Sequence, residues 1–355
     1  MSADPAGLLL PVPGQEEDLT RQWLDRRFRQ VRPARPGSSV VLVRDGDNGP
    51  EVFLRHRAGR TPLGRVGLPG GALIESDADS CPWYGPEPSQ WARTFGTTDR
   101  RRARQHVVAA VRELHDEAGV LLAGRSDTDV VSTARIETWG GGRSSLEEGS
   151  ESLPHLLAAR GLGVRADLLR PVMRWRSAPH VHRRFDTAVF ATMTPPLQSA
   201  PASEEPGPEL QAWVSARRAL AGPLRLPGPA GAEGTAPFDQ VATPLTQVIV
   251  RRVAAHRTAA AFLLSVTPCA RRGPVPEYHL VTEAGDDGTP RMRVERGPPG
   301  GAGGAPPPPR RGPLPPARFS RPSPATTPSG RCPARAPGSA GSARSAYRAA
   351  RRTRR

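Results

Sequence analysis

The sequence predicts an α/β domain followed by a long unstructured tail. Three observations predict it. Residues 38–57 read as two apolar strands around a tight turn. Residues 99–118 carry apolar side chains at helical spacing. Residues 184–193 repeat the strand pattern and are followed by further helical segments, so strands and helices share one chain.

In chain order, residues 1–35 begin as a Pro/Gly/acidic segment with a short helix expected at 18–30, and are assigned to an N-terminal extension. Ser38 to Arg44 is β-branched and apolar, and Glu51 to Arg57 alternates Val52 and Leu54 with Phe53 and Arg55. Asp45-Gly46-Asp47-Asn48-Gly49-Pro50 between them is a turn signal, so the pair reads as a hairpin. Gly67-Leu68-Pro69-Gly70-Gly71 reads as a loop whose glycines permit close backbone approach. A polar Pro/Trp stretch follows at 75–100. The helix expected over 99–118 buries Val107, Ala110, Val111, Leu114 and Ala118. Residues 139–152 read as a loop, 153–162 and 165–169 as short helices, and 184–193 as a core strand. Residues 195–208 read as a linker, 209–220 as a helix carrying Trp213, and 243–264 as an apolar helix. The pattern dissolves near residue 283, which places the domain at 36–285 and the tail at 286–355.

Charge follows the same division. The chain has 355 residues, and all 50 of its basic residues are Arg, a usage that fits a GC-rich coding sequence. Its formal net charge is +16, yet residues 296–355 hold 13 Arg and no acid, so the first 295 residues carry only +3. Nucleic-acid binding would therefore rest on the tail alone, and its two aromatics, Phe319 and Tyr347, make no stacking platform. Cys81, Cys269 and Cys332 form no Cys-x-x-Cys pair, which argues against a zinc site and for a reduced, cytoplasmic setting. No apolar run is long enough for a membrane span.

The chemistry concentrates in residues 112–120, Arg-Glu-Leu-His-Asp-Glu-Ala-Gly-Val. Glu113 and Glu117 are four residues apart, one helical turn, on a face set about 100° from the apolar stripe. Adjacent carboxylates on a rigid element suit a hard divalent cation such as Mg²⁺ or Mn²⁺. Asp116 is a third acid within the turn, and Arg112 is its i,i+4 neighbour, placed to orient the carboxylates through an ion pair. A cation held there would neutralise an anionic substrate and lower the pKa of a bound water.

These nine residues resemble the second half of the Nudix box, Arg-Glu-apolar-x-Glu-Glu-x-Gly-apolar, and differ only at Asp116. The first half, a Gly, five residues and an acid, is matched by Gly71 and Asp77. Between Asp77 and Arg112 the chain has 27 residues more than that pattern, an insertion at about 78–104 containing Trp83 and Trp91. A long insertion of this kind, Leu68-Pro69-Gly70-Gly71 before it, Gly119-Val120-Leu121-Leu122 after it and Arg183-Arg184-Phe185-Asp186-Thr187 further on are similar to the acyl-coenzyme A diphosphatase-like branch of Nudix hydrolases, actinobacterial type. Leu54-Arg55-His56-Arg57 partly matches that branch's coenzyme A signature.

The resemblance covers about residues 36–265 and implies a Nudix α/β/α sandwich with a mixed sheet and extra C-terminal helices; the low-complexity composition of the tail predicts a disordered C-terminal tail beside it. It implies metal ligation by Glu113, Asp116 and Glu117, with Arg112 in the catalytic set. It also implies backbone approach to metal or phosphate at Gly70 and Gly71. Arg183 and Arg184 are placed to clamp phosphate oxygens, or else to face solvent at a strand start. The implied substrate is a small nucleoside diphosphate derivative. Coenzyme A or an acyl derivative comes first, then ADP-ribose, a dinucleotide or a nucleotide sugar; a nucleotide sensor without catalysis is the remaining alternative. His180 and His182 share i,i+2 spacing, which fits a metal pair less well than two surface histidines. Trp175, Phe185 and Trp213 are expected in the core.

Overall fold

The computed structural model describes residues 4–26, 30–57, 64–132, 134, 152–200, 211–227, 233–266 and 273–298, all within the compact unit 1–304. The expected disorder of residues 299–355, most of the 139–152 loop, residues 201–208 of the linker, and Cys269 and Cys332 lie outside the described residues.

The expected hairpin is the centre of the molecule. Strands β2 (Arg35–Gly46) and β3 (Gly49–His56), numbered after β1 (Leu9–Pro11), pair antiparallel with Gly46 opposite Gly49. Gly49, at φ 95°, occupies backbone space that a side chain would resist. Both strands are buried on both faces, and their alternation sorts the core into two halves. Val40, Leu42 and Phe53 point to one face, and Val41, Val43, Val52 and Leu54 to the other.

The glycine-rich segment is not simply a loop. Val66–Gly67 (β4) pairs with β3, and Gly70–Ala72 (β5) pairs with β2, because small residues let the backbone lie against its neighbours. A 3₁₀ turn at Glu75–Ala78 leads into the insertion, which is structured. It contains Trp83–Tyr84 (β6) and Pro88–Thr94 (α2, after α1 at Glu17–Asp25). Trp91 of α2 packs with Phe95 and Phe190 and closes one end of the core.

Helix α3 (Arg100–Ala118) forms as the apolar spacing predicts. Asp99 caps it by accepting from the Arg102 N–H at 2.8 Å, and Gly119 ends it at φ 68°, a left-handed position that favours glycine. The helix lies on the Phe53 face, with Val107, Ala110, Val111 and Leu114 inward. Short strands Ala123–Gly124 (β7) and Gly163–Arg165 (β8) form a small sheet with β6, and Leu153–Ala159 is α4, as expected for that stretch. The expected second short helix at 165–169 is only a 3₁₀ turn, Ala166–Leu168.

Strand β9 (Arg170–Arg176) was not expected; β10 (Phe185–Met193) was, and it pairs parallel to β2. The helix expected over 209–220 is corrected. Gln211–Ser215 is an edge strand, β11, paired with β3, and only Ala216–Ala221 is helical, α5. A hairpin follows, Pro223–Pro227 (β12) and Glu233–Pro237 (β13), then the turn of helix α6 (Phe238–Val241). The apolar helix expected over 243–264 is two helices, α7 (Pro244–Ala254) and α8 (Ala259–Val266), and both pack on the Val41 face.

The domain does not stop at 285. Glu277–Ala284 (β14) and Pro290–Arg296 (β15) form a hairpin in the main sheet, and β1 from the expected N-terminal extension pairs with β15. The sheet order is β1-β15-β14-β9-β10-β2-β3-β11, with β2–β10 and β9–β14 parallel and the other pairs antiparallel. A mixed sheet with α3 on one face and α7 and α8 on the other is the expected α/β/α sandwich. No helix among the described residues is long and apolar enough to cross a membrane.

Candidate active site

The site is built where α3 crosses β5 and the end of β3. Helical spacing puts Glu113 and Glu117 on one face, beside the buried stripe. Each is mostly buried, with side chains 12% exposed. Gly71 faces Glu113 so closely that any Cβ there would overlap the carboxylate. Gly70 donates its N–H to Glu117 Oε2 at 2.9 Å, and at φ 155° it leaves no room for a side chain against Ser38 and Ser39. The two glycines thus lie against the two acids.

Arg112 is the organiser, but not through Asp116. Its guanidinium makes a fork to Asp77, Nε to Oδ1 at 2.9 Å and Nη2 to Oδ2 at 3.1 Å. It also donates to the Ala72 carbonyl at 3.1 Å and to Glu113 Oε1 at 2.7 Å. Asp116 is 3.9 Å away, at the limit of an ion pair, and its other oxygen lies 3.3 Å from His115 Nδ1. The i,i+4 pair expected to orient the carboxylates is therefore a weak one. Asp77, from the first half of the motif, takes that role: its side chain is wholly buried and also accepts the Ile74 N–H at 2.9 Å. Burial and a charged partner of this geometry go together, because an unpaired guanidinium there would be costly.

Two residues not assigned to the site by sequence reasoning complete it. Arg55 Nη1 lies 2.8 Å from Glu117 Oε1, and Arg57 Nη2 lies 2.9 Å from the same oxygen. Arg57 also donates to the Gly70 carbonyl at 2.8 Å. The signal was present: Phe53, Arg55 and Arg57 alternate along the sequence of β3 and the residue after it, and Phe53 faces α3.

The electrostatics are uneven. Glu117 is held by two guanidinia and a backbone N–H, whereas Glu113 shares one guanidinium with Asp77. Burial pushes the Glu113 carboxyl above its usual range, and the negative charges of Glu117 and Asp116 push the same way against Arg112. A buried carboxylate in that condition favours a bound proton or cation. The donors fit a hard divalent cation in kind, oxygen ligands on a rigid helix with negative charge to spare. Among the described residues, however, no three His, Cys, Asp or Glu side chains are gathered to hold a metal ion. The three acids expected as ligands do not form a ready cage, since Asp116 turns toward His115.

Arg183 and Arg184 are not brought to this cluster. They sit at the start of β10, where Arg184 donates to the Arg32, Ser177 and Ala178 carbonyls. That guanidinium closes the loop before β10, and Arg183 beside it is exposed. His180 and His182 form no metal pair. His180 contacts Thr282 Oγ1 at 2.8 Å and Thr20 Oγ1 at 3.4 Å, and His182 contacts Arg32. Trp175 is core as expected; Trp213 is half-buried, edge-on to Phe53 with Arg44 over its other face.

No family model and no curated protein matches the chain. Among solved structures, a NUDIX hydrolase from Alicyclobacillus acidocaldarius is similar, at 24% identity and a TM-score of 0.45, over 66% of this chain and 97% of that one.

Proposed function

We propose that the protein is a divalent-cation-dependent hydrolase of the diphosphate linkage in a small nucleoside diphosphate derivative. The observation that carries this reading is the seating of Glu113 and Glu117 against Gly71 and Gly70, with Arg112 locked on Asp77 behind them. This seating brings the two halves of the motif into contact despite the insertion between them.

Glu113 and Glu117 would hold Mg²⁺ or Mn²⁺, with Asp116 as a third donor after leaving His115. When bound, the cation supplies charge neutralisation of the diphosphate and a more acidic water. The chain's own part is positioning. Arg112 fixes the Glu113 side chain through one N–H while its fork stays on Asp77. Gly71 leaves the room at Glu113 that a Cβ would fill, and Gly70 holds Glu117 through its N–H. Water attacks one phosphorus, the bridging P–O bond breaks, and two phosphate-bearing products leave.

Coenzyme A or an acyl-coenzyme A is the substrate we place first, on the resemblance of residues 54–57, 68–71 and 183–187 to that branch; ADP-ribose, dinucleotides and nucleotide sugars come next. The test is cleavage of that panel with Mg²⁺ or Mn²⁺ by wild type and Glu117→Gln. Metal-dependent turnover of one substrate, reduced at least about a hundredfold in the variant, is the expected result. Turnover that survives EDTA, or survives Glu117→Gln intact, contradicts the proposal.

A further inference from the structure

Four carboxylates, Asp77, Glu113, Asp116 and Glu117, meet three guanidinia in and around the site, those of Arg55, Arg57 and Arg112. Arg112 is committed to the wholly buried Asp77. Arg55 and Arg57 converge on Oε1 of Glu117, and Arg57 also donates to Oε2 at 3.0 Å, so both oxygens of the residue the proposed cation needs are engaged. We propose that these two arginines are internal stand-ins for that cation: they yield Glu117 to it and then receive the anionic phosphoryl oxygens of the substrate. This inference rests on the divalent-cation reading above.

The physical argument is one of replacement. Glu117 cannot give the same lone pairs to two guanidinia and to a metal, so cation binding must loosen at least one of them. The Arg55 side chain is only 14% exposed. A guanidinium at such burial that gives up a carboxylate contact is favoured to take up another anion in its place. A phosphoryl group offers that anion, and its oxygens match the planar fork of an arginine. Cation alone is then held back, and cation with anion is favoured, so each raises the affinity of the other. Alternation along β3 and the residue that follows it makes this work, since Arg55 on the strand and Arg57 just past its end both reach Glu117 of α3.

Arg57 is the residue to change, because its side chain is 38% exposed and it lies just past the end of β3. Mn²⁺ affinity is measured by electron paramagnetic resonance on the full chain, for wild type, Arg57→Gln, Glu117→Gln and Arg44→Gln, with and without 5 mM sulfate at constant ionic strength. Arg44 pairs with Glu51 and controls for the loss of one positive charge elsewhere. The expected result is Mn²⁺ bound about fivefold tighter by Arg57→Gln than by wild type, as for removal of a partly exposed competing ion pair, with Arg44→Gln unchanged. Sulfate should tighten Mn²⁺ on wild type and narrow that gap; its complexation of Mn²⁺ in solution is common to all four proteins and cancels. Equal or weaker Mn²⁺ binding by a folded Arg57→Gln, with Glu117→Gln impaired, overturns the exchange and leaves the hydrolase reading standing. Sulfate without effect on the gap overturns the anion seat. Mn²⁺ bound equally by wild type and Glu117→Gln, or by neither, overturns both.

Discussion

At the residue scale, the account depends on side chains whose removal has distinct signatures. Asp77 touches no substrate in it, yet it balances the buried Arg112 from two sides. Asp77→Asn keeps the shape and halves the acceptors, so we expect about 2–4 kcal/mol of lost stability in urea unfolding together with lost activity. Gly71→Ala should behave differently: its Cβ would displace the Glu113 carboxylate, a flexible side chain, so activity falls by tenfold or more while the urea midpoint moves little. His106 reports on pH. Ser38 Oγ donates to the His106 carbonyl, which leaves His106 Nδ1–H to donate to the Gly37 carbonyl at 3.1 Å. Burial pushes the ring's pKa down to about 4, with Arg174 adding to the effect. The unfolded ring takes up its proton near pH 6.5, so the stability it contributes is full above that pH. It declines as the pH falls toward about 4, by at most about 1.4 kcal/mol per pH unit. His106→Gln, whose amide can still donate to Gly37, should flatten the fall in urea midpoint between pH 7 and 5. An identical slope in both proteins would show that His106 carries none of it.

At the element scale, what was legible in sequence was what local pattern decides. The β2–β3 hairpin and α3 were evident because turn residues, caps and periodicity all agree there. Strand β11 read as helix because it is short, borders the Ala/Arg/Leu-rich α5, and owes its extension to pairing with β3. The β14–β15 hairpin was missed for a related reason. Tyr278, Leu280 and Thr282 are buried and alternate with more exposed neighbours, as do Met292 and Val294, but Gly285-Asp286-Asp287-Gly288 and the flanking charges read as the start of a tail. Met292 and Val294 are fully buried and β1 depends on β15 for its hydrogen bonds. A chain ended at residue 285 should therefore unfold well below the temperature of one ended at 298, by 10 °C or more in a thermal melt. Equal melting temperatures would mean that the hairpin is dispensable.

For the whole molecule, the sandwich explains how a motif split by an insertion still makes one site. The mixed sheet fixes β5 against β2 and β3 against both β2 and β4, and α3 lies across that junction. The 3₁₀ turn carrying Asp77 is thereby held over Arg112 however many residues intervene, and the insertion folds aside as β6 and α2. Spacing along the chain could identify Glu113 and Glu117 but could not show that Asp77 rather than Asp116 steadies Arg112, nor that Arg55 and Arg57 reach Glu117, because those contacts join elements far apart in sequence. The claim that this assembly hydrolyses a diphosphate is tested most directly by ³¹P NMR of coenzyme A in ¹⁸O-enriched water with Mg²⁺. The account predicts loss of the diphosphate signals, growth of two phosphomonoester signals, one of them shifted by ¹⁸O, and no change with Glu117→Gln. Diphosphate signals that persist for wild type under these conditions and across the rest of the substrate panel would contradict it.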